Sequence, residues 1–193
     1  DYYASCAIAL WENRFEKLND GTTCIDNLKK KGIKTYKQFV DHLKECEDIL
    51  WKKRFKVYTQ WKNDIQKKYQ KEGFIETYFG FRYSGYLDKK QTANYPIQGT
   101  AFHILLWCLI RINSIAKKEK WKSKIIGQIH DSMIFDLNPS EEHHVLKTVK
   151  YVCEVEVVER FDWITTPFKV DIEMSEVDGS FAELEDYEWK EVE

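Results

Sequence analysis

The stretches TANYPIQGTAFHILLWCLIRI, Thr92 to Ile112, and IGQIHDSMIFDL, Ile126 to Leu137, decide how this chain is read. In the second, apolar runs at Ile125–Ile129 and Met133–Leu137 flank the polar tip His130-Asp131-Ser132. Short apolar runs on either side of such a break form a hairpin, with the tip carried on two strands. In the first, Pro96 disfavours an α conformation at Tyr95, so Lys89 to Pro96 is expected as a loop unless the proline kinks a longer helix. A helix then runs from about Ala101 to Ala116, with Phe102, Leu105, Leu106, Leu109 and Ile112 on its buried face. The basic cluster Lys117 to Lys120 closes it.

Upstream, Phe74–Tyr78 and Phe81–Tyr83 read as short strands turning at Gly80. Before them, Trp51, Phe55, Tyr58, Trp61, Ile65 and Tyr69 recur at helical spacing up to Gly73, an aromatic stripe expected in the core among surface lysines. Thr35 with Gln38 predicts a capping box for a helix bearing Phe39, Leu43 and Cys46. A first helix, with Ala4, Ile8 and Trp11, is expected to end near Asn19–Gly21, and Lys29 to Gly32 to form a basic break. Downstream, Ser140 is the expected N-cap of a helix reaching about Phe161, and Thr166–Met174 alternates like a closing strand. The tail from Asp178 is acidic and expected to fray. Helices first and then short strands among helices make an α+β arrangement.

At 193 residues and 23.2 kDa the chain is long enough to bury a substantial core, about 70% of its unfolded surface. Hydrophobic residues at 43%, with 7 Trp, 11 Tyr and 11 Phe, exclude a disordered chain despite 32% charged residues. The 5 Cys are scattered without metal-ligand spacing, which excludes a zinc scaffold and a disulfide framework. The longest apolar-rich stretch, Phe102 to Ile110, is too short to span a bilayer. The chain therefore reads as a reducing, intracellular, soluble protein. Net charge is only -2, yet residues 1–124 hold 25 Lys+Arg against 14 Asp+Glu and residues 125–193 hold 5 against 18. Either this is a solvated helical surface followed by an acidic tail, or the first part holds a polyanion while carboxylates in the second hold cations.

Three segments together resemble one family. Thr92 to Ile112 is similar to the stretch of family A DNA polymerases that runs into the long palm helix against the primer-template. Ile126 to Leu137 resembles that family's third catalytic motif, a palm hairpin bearing His-Asp-Glu. Phe55 to Arg82 resembles the end of the fingers and the return to the palm. Asn-x-Pro-x-Gln-Gly-Thr-Ala followed some thirty residues later by strand-His-Asp-strand is a specific combination.

The resemblance implies a partial right-hand polymerase fold. Residues 1–72 would be distal fingers helices and the return helix, 73–179 palm, and 180–193 an acidic C-terminal tail. It implies template-directed transfer from deoxynucleoside triphosphates to a primer 3′ hydroxyl on primer-template DNA, with two Mg²⁺ ions. Asp131 would be one of two principal metal-binding aspartates, with His130 near the primer terminus. Ser132 replaces the family's usual Glu and could bond to water around the metal. Asn94 and Gln98 would contact the duplex minor groove, where every base pair offers acceptors. Lys90 stands where the family has Arg, keeping the charge without the fork. Gly99 would allow a close approach of the backbone, and Arg82 is a candidate phosphate contact. Accessory replication proteins are further expected partners, no membrane is expected, and the expected location is the cytoplasm of a bacterial or phage-infected cell. The earlier palm strand with the other aspartate and the triphosphate-gripping helix have no counterpart, so the chain reads as a C-terminal portion, inactive alone. A non-catalytic duplex-binding module and a structural or partner-binding domain stay open as alternatives.

Overall fold

A computed structural model of the chain describes residues 2–189 and divides into two units, Asp1–Gly73 and Phe74–Glu193. The end of the acidic tail, residues 190–193, lies outside the described residues.

In the first unit, α1 (Tyr2–Glu12), α2 (Cys24–Lys30) and α3 (Tyr36–Asp48) enclose a small core of Ala7, Leu28, Ile33 and Phe39, with Trp11 packed on it. Helix α1 stops well before Asn19, and the Arg14 carbonyl accepts from the Ile25 amide at 2.9 Å instead of continuing the helix, while Phe15 is left 64% exposed under the Arg14 guanidinium. The chain instead loops, with Leu18 N–H donating to the Thr22 carbonyl at 2.7 Å and Asp20 accepting from the Thr22 amide and hydroxyl. The lysines expected in a break end α2, a helix that Thr23 caps by accepting from the Asp26 amide. The Thr35–Gln38 capping box forms as the sequence predicts.

A π-helical stretch, Ile49–Arg54, leads into α4 (Lys56–Glu72), which Gly73 ends in the left-handed region at φ 78°. The aromatic stripe is not core. No residue of α4 is buried, and Phe55 just before it is 51% exposed. The rings cover one another instead: Tyr58 stacks on Trp61 at 5.5 Å, and the Lys62 ammonium sits 4.2 Å from the Trp51 ring centre.

The second unit is α+β, with three separate antiparallel pairs among the described residues: β1 (Phe74–Glu76) with β2 (Arg82–Ser84), β3 (Lys124–Ile129) with β4 (Ser132–Asp136), and β5 (Glu173–Met174) with β6 (Glu185–Asp186). Helix α5 (Lys89–Glu119) joins the first two pairs. After β4 come α6 (Glu142–Lys150), a π-helical stretch Tyr151–Glu156 and α7 (Val157–Arg160), one continuous run. Asn138, not Ser140, caps its entry, accepting from the Ser140 amide at 3.1 Å. Only Glu173–Met174 of the expected closing strand pairs; upstream, the Val170 amide donates to Glu154 instead. The tail is held through Tyr187, whose hydroxyl donates to Glu142 at 2.6 Å, and through Trp189, whose ring lies 5.7 Å from that of His143.

The expected loop at Lys89–Pro96 is helix. Asp88 and Gln91 form a capping box that starts α5 a full two turns before Pro96. Pro96 has no N–H for the Thr92 carbonyl, a local cost that burial of the surrounding turn offsets. Over its first half, α5 buries Thr92, Ala93, Pro96, Gly99 and Thr100. Thr100 is tied to the first hairpin, accepting from the Tyr78 amide at 3.1 Å. Over its second half it buries Cys108 and Ile112 in a core with Trp121, Val145, Val149, Val152, Val157 and Ile164. At 100° per residue these two sets lie on opposite sides of the helix. Phe102, expected inside, is therefore 47% exposed. As formed, α5 is long and apolar enough by length and composition to cross a bilayer, with mean hydropathy 1.4 over its best window, which corrects the length inferred from Phe102–Ile110. Core helices pass the same test, and the Cys108–Ile112 face of α5 is such a core.

Candidate nucleic-acid interface

Because residues 89–119 are one helix, Lys90, Asn94 and Gln98 fall at i, i+4 and i+8 and form a row on its exposed side. None of the three has a side-chain hydrogen bond or ion pair among the described residues, so an ammonium and two carboxamides stand free. Asn94 and Gln98 do not cap a helix at Ala101, since the start is at Lys89. The opposite side of the same turns is fixed on β1–β2, which holds the row in place.

Gly99 belongs to that fixed side. A Cβ there would overlap the Tyr83 hydroxyl and lie 2.7 Å from Thr77 Cγ2. The close approach that needs a glycine is therefore helix against hairpin, inside the unit. Arg82 is engaged across the strands: its Nε donates to Glu76 Oε1 at 2.7 Å, and its guanidinium lies 4.4 Å from the Phe74 ring centre. This exposed pair leaves Arg82 outside the row.

The β3–β4 hairpin closes through His130 and Asp131 alone, since Ser132 already pairs with Ile129. His130 takes φ +50°, the left-handed conformation such a tight turn requires of a non-glycine residue. Gln128 Nε2 donates to the His130 carbonyl at 3.3 Å, and the Ser132 hydroxyl donates to the Ile129 carbonyl at 2.8 Å. Ser132 thus braces the tip. The His130 ring and the Asp131 carboxylate are exposed and have no hydrogen-bond partner among the described residues. Ile125, Met133 and Phe135 pack on the same core as the second half of α5. One core thus carries both the row-bearing helix and the tip.

A carboxylate on a hairpin tip is a hard oxygen donor of the kind Mg²⁺ takes. It is one donor. Among the described residues no group of three or more His, Cys, Asp or Glu side chains is placed to hold a metal ion. The residues present do not make a metal centre by themselves.

Sequence reasoning missed Glu141, which sets the hairpin's root. It accepts from the Lys122 amide at 2.9 Å and from the Ser123 amide and hydroxyl at 2.8 Å each. Those contacts, the Lys122 amide first, hold its carboxyl below the usual 4.5. A Glu early in a helix gives no sequence signal for bonding back across some twenty residues.

The long helix flanked by an antiparallel hairpin on each side is the fold of part of a polymerase domain. It aligns with the POL domain of Pol1 from M. smegmatis, in complex with DNA primer-template and dNTP, at TM-score 0.54 and 20% identity over 66% of this chain and 23% of that one. Residues 35–180 match DNA polymerase family A, and the chain belongs to that family. It is 31% identical to the DNA polymerase of Bacillus phage SP01 over 57% of this chain and 13% of the relative. With DNA polymerase I of Lactococcus lactis subsp. cremoris it shares 28% identity over 56% of this chain and 13% of that protein. The matched regions thus span about an eighth of these relatives' length.

Proposed function

We propose that this chain is the palm portion, with the adjoining end of the fingers, of a DNA-directed DNA polymerase that extends a primer on a DNA template from deoxynucleoside triphosphates. The reading rests above all on the free Lys90–Asn94–Gln98 row, on a helix anchored by its opposite side. Carboxamide N–H groups at 94 and 98 donate to minor-groove N3 and O2 acceptors, which all base pairs share, so the row senses duplex shape without reading sequence. Lys90 adds a charge for a phosphate. At the hairpin tip, the His130 ring donates to a sugar or phosphate oxygen near the primer end, and Asp131 presents its carboxylate. Divalent cations, Mg²⁺ by the chemistry of the oxygen donor, would supply charge stabilisation at the reacting oxygens when bound. The further ligands of a two-ion site come from polymerase segments outside those described here. A cytoplasmic location, in a bacterial or phage-infected cell, follows from this reading.

The lone carboxylate at the tip favours a second reading, a duplex-binding module without catalysis. Both readings require the row. A fluorescent primer-template duplex titrated with the chain should bind, and Asn94→Ala and Gln98→Ala should each weaken binding by up to about tenfold, one hydrogen bond's worth. Unchanged affinity in the double variant, with the fold intact by circular dichroism, would sink both.

A further inference from the structure

The Lys90–Asn94–Gln98 row does not stop at Gln98. The next position at the same spacing of four is Phe102, about 6 Å further along α5 and about 40° round it. Its side chain is 47% exposed and takes no part in the core that holds Cys108 and Ile112. Its ring rests edge-on against that of His103 at 5.5 Å. That histidine is itself held, with Nδ1 donating to the Gly99 carbonyl at 2.5 Å and its ring stacked on Phe79. A single exposed ring is ordinary on a protein surface, but this one stands on a fixed support in register with three free polar side chains.

We propose that Phe102 is a sugar-selecting contact at the end of the row, lying against the deoxyriboses that wall the minor groove of the bound duplex and disfavouring ribose there. The inference rests on the duplex reading above and adds to it a residue that tells DNA from RNA. Asn94 and Gln98 address N3 and O2 acceptors that the bases of both nucleic acids carry, so they do not make that distinction. The 2′ position does, with hydrogen in DNA and a hydroxyl facing the minor groove in RNA. Against a phenyl ring, a deoxyribose buries only C–H groups. A ribose hydroxyl in the same place loses its water and gains no partner, which is the penalty of an unsatisfied polar group. The rise of about 6 Å from Gln98 to Phe102 is roughly two base-pair steps of 3.4 Å, so the ring meets one or two nucleotides of one strand.

The test titrates the purified full chain, at fixed salt, into a fluorescent primer-template duplex and into copies carrying a single ribonucleotide walked along each strand in turn. Wild type should lose affinity at one position or two adjacent ones, by about 5- to 100-fold, and bind the other copies like the all-deoxy duplex. A 2′-fluoro nucleotide at the sensitive position keeps a ribose-like pucker without the hydroxyl, and should bind like deoxyribose. Phe102→Ala should bind the duplexes with and without the sensitive ribonucleotide alike, whereas Phe102→Leu, still apolar, should keep a penalty. Ile110→Ala removes another exposed apolar side chain of α5, about 12 Å further on, and should leave the wild-type pattern. Circular dichroism checks the fold of each variant, and if Phe102→Ala does not fold, the ribonucleotide and 2′-fluoro walks with wild type decide. Uniform tolerance of ribonucleotides by wild type, an equal penalty for 2′-fluoro, or a penalty that survives Phe102→Ala would overturn the proposal. Those outcomes leave the duplex reading standing so long as Asn94→Ala and Gln98→Ala weaken binding; a chain that binds no duplex at all would sink that reading and this inference with it.

Discussion

Glu141 shows how one side chain can hold the candidate site without belonging to it. Its carboxylate gathers two backbone amides and a hydroxyl from Lys122 and Ser123, the residues that launch β3 towards the tip. Ser123 passes the connection on, its hydroxyl oxygen accepting from the Asn138 amide at 3.0 Å just after β4. Both ends of the hairpin are thereby tied to the start of α6. The Glu141 carboxyl is held below its usual 4.5 by these donors, so its contribution to stability is complete above the unfolded value. That contribution is lost as pH falls through the lower folded value, where the acid takes up its proton. Glu141→Gln should therefore melt earlier than wild type at neutral pH, by a gap that is constant above about pH 5 and closes in more acid solution. Paired thermal melts across that range are the check. A gap that persists unchanged in acid would mean that the side chain's shape, and not its charge, holds the root.

The helix–hairpin contact at Gly99 makes the corresponding case for α5. Gly99→Ala puts a methyl group against the Tyr83 hydroxyl and Thr77, both on the buried side of the helix, and both contacts must give way. Overpacking of this kind costs about 1–3 kcal/mol, so the variant should lose that much in denaturant unfolding. Its duplex affinity should change far less than that of the Asn94 or Gln98 variants, and the reverse pattern would place Gly99 at the nucleic acid. The helix itself was only half legible in the sequence. The preference of Pro96 for an extended predecessor is local, and it was overruled by the Asp88–Gln91 capping box and by Gly99 and Thr100 packing on the first hairpin. The Lys90–Asn94–Gln98 residues were identifiable by type, yet they became a row only once the turns between them were helical. The hairpin bearing His130 and Asp131 was plain, because two apolar runs around a polar tip admit few other structures. The stripe from Trp51 to Tyr69 shows the opposite limit: periodicity identifies the apolar face of a helix but not whether anything covers it.

The whole chain combines a basic part with, among the described residues, no group of three metal-ligating side chains. Residues 1–124 hold 25 Lys+Arg against 14 Asp+Glu, and the row lies within them, so the chain should bind a primer-template duplex and release it steeply as salt rises. Binding is not synthesis. With the matched regions spanning 13% of the phage polymerase and no described cluster of three metal-ligating side chains, the 193-residue chain offers one tip carboxylate for the proposed reaction, which needs charge stabilisation on both reacting oxygens. It should therefore fail to extend a labelled primer even with Mg²⁺ and all four deoxynucleoside triphosphates. The measurement is product length on a sequencing gel from the purified, monodisperse chain, run beside Asp131→Asn. That variant should bind duplex as the wild type does, because the carboxylate makes no hydrogen bond or ion pair with another described residue. No extension by either protein, with salt-sensitive binding by both, is the expected result. Extension by the wild type that vanishes in Asp131→Asn would show that this chain carries a complete catalytic centre, and its ligands would then have to be sought among carboxylates that the described fold holds apart.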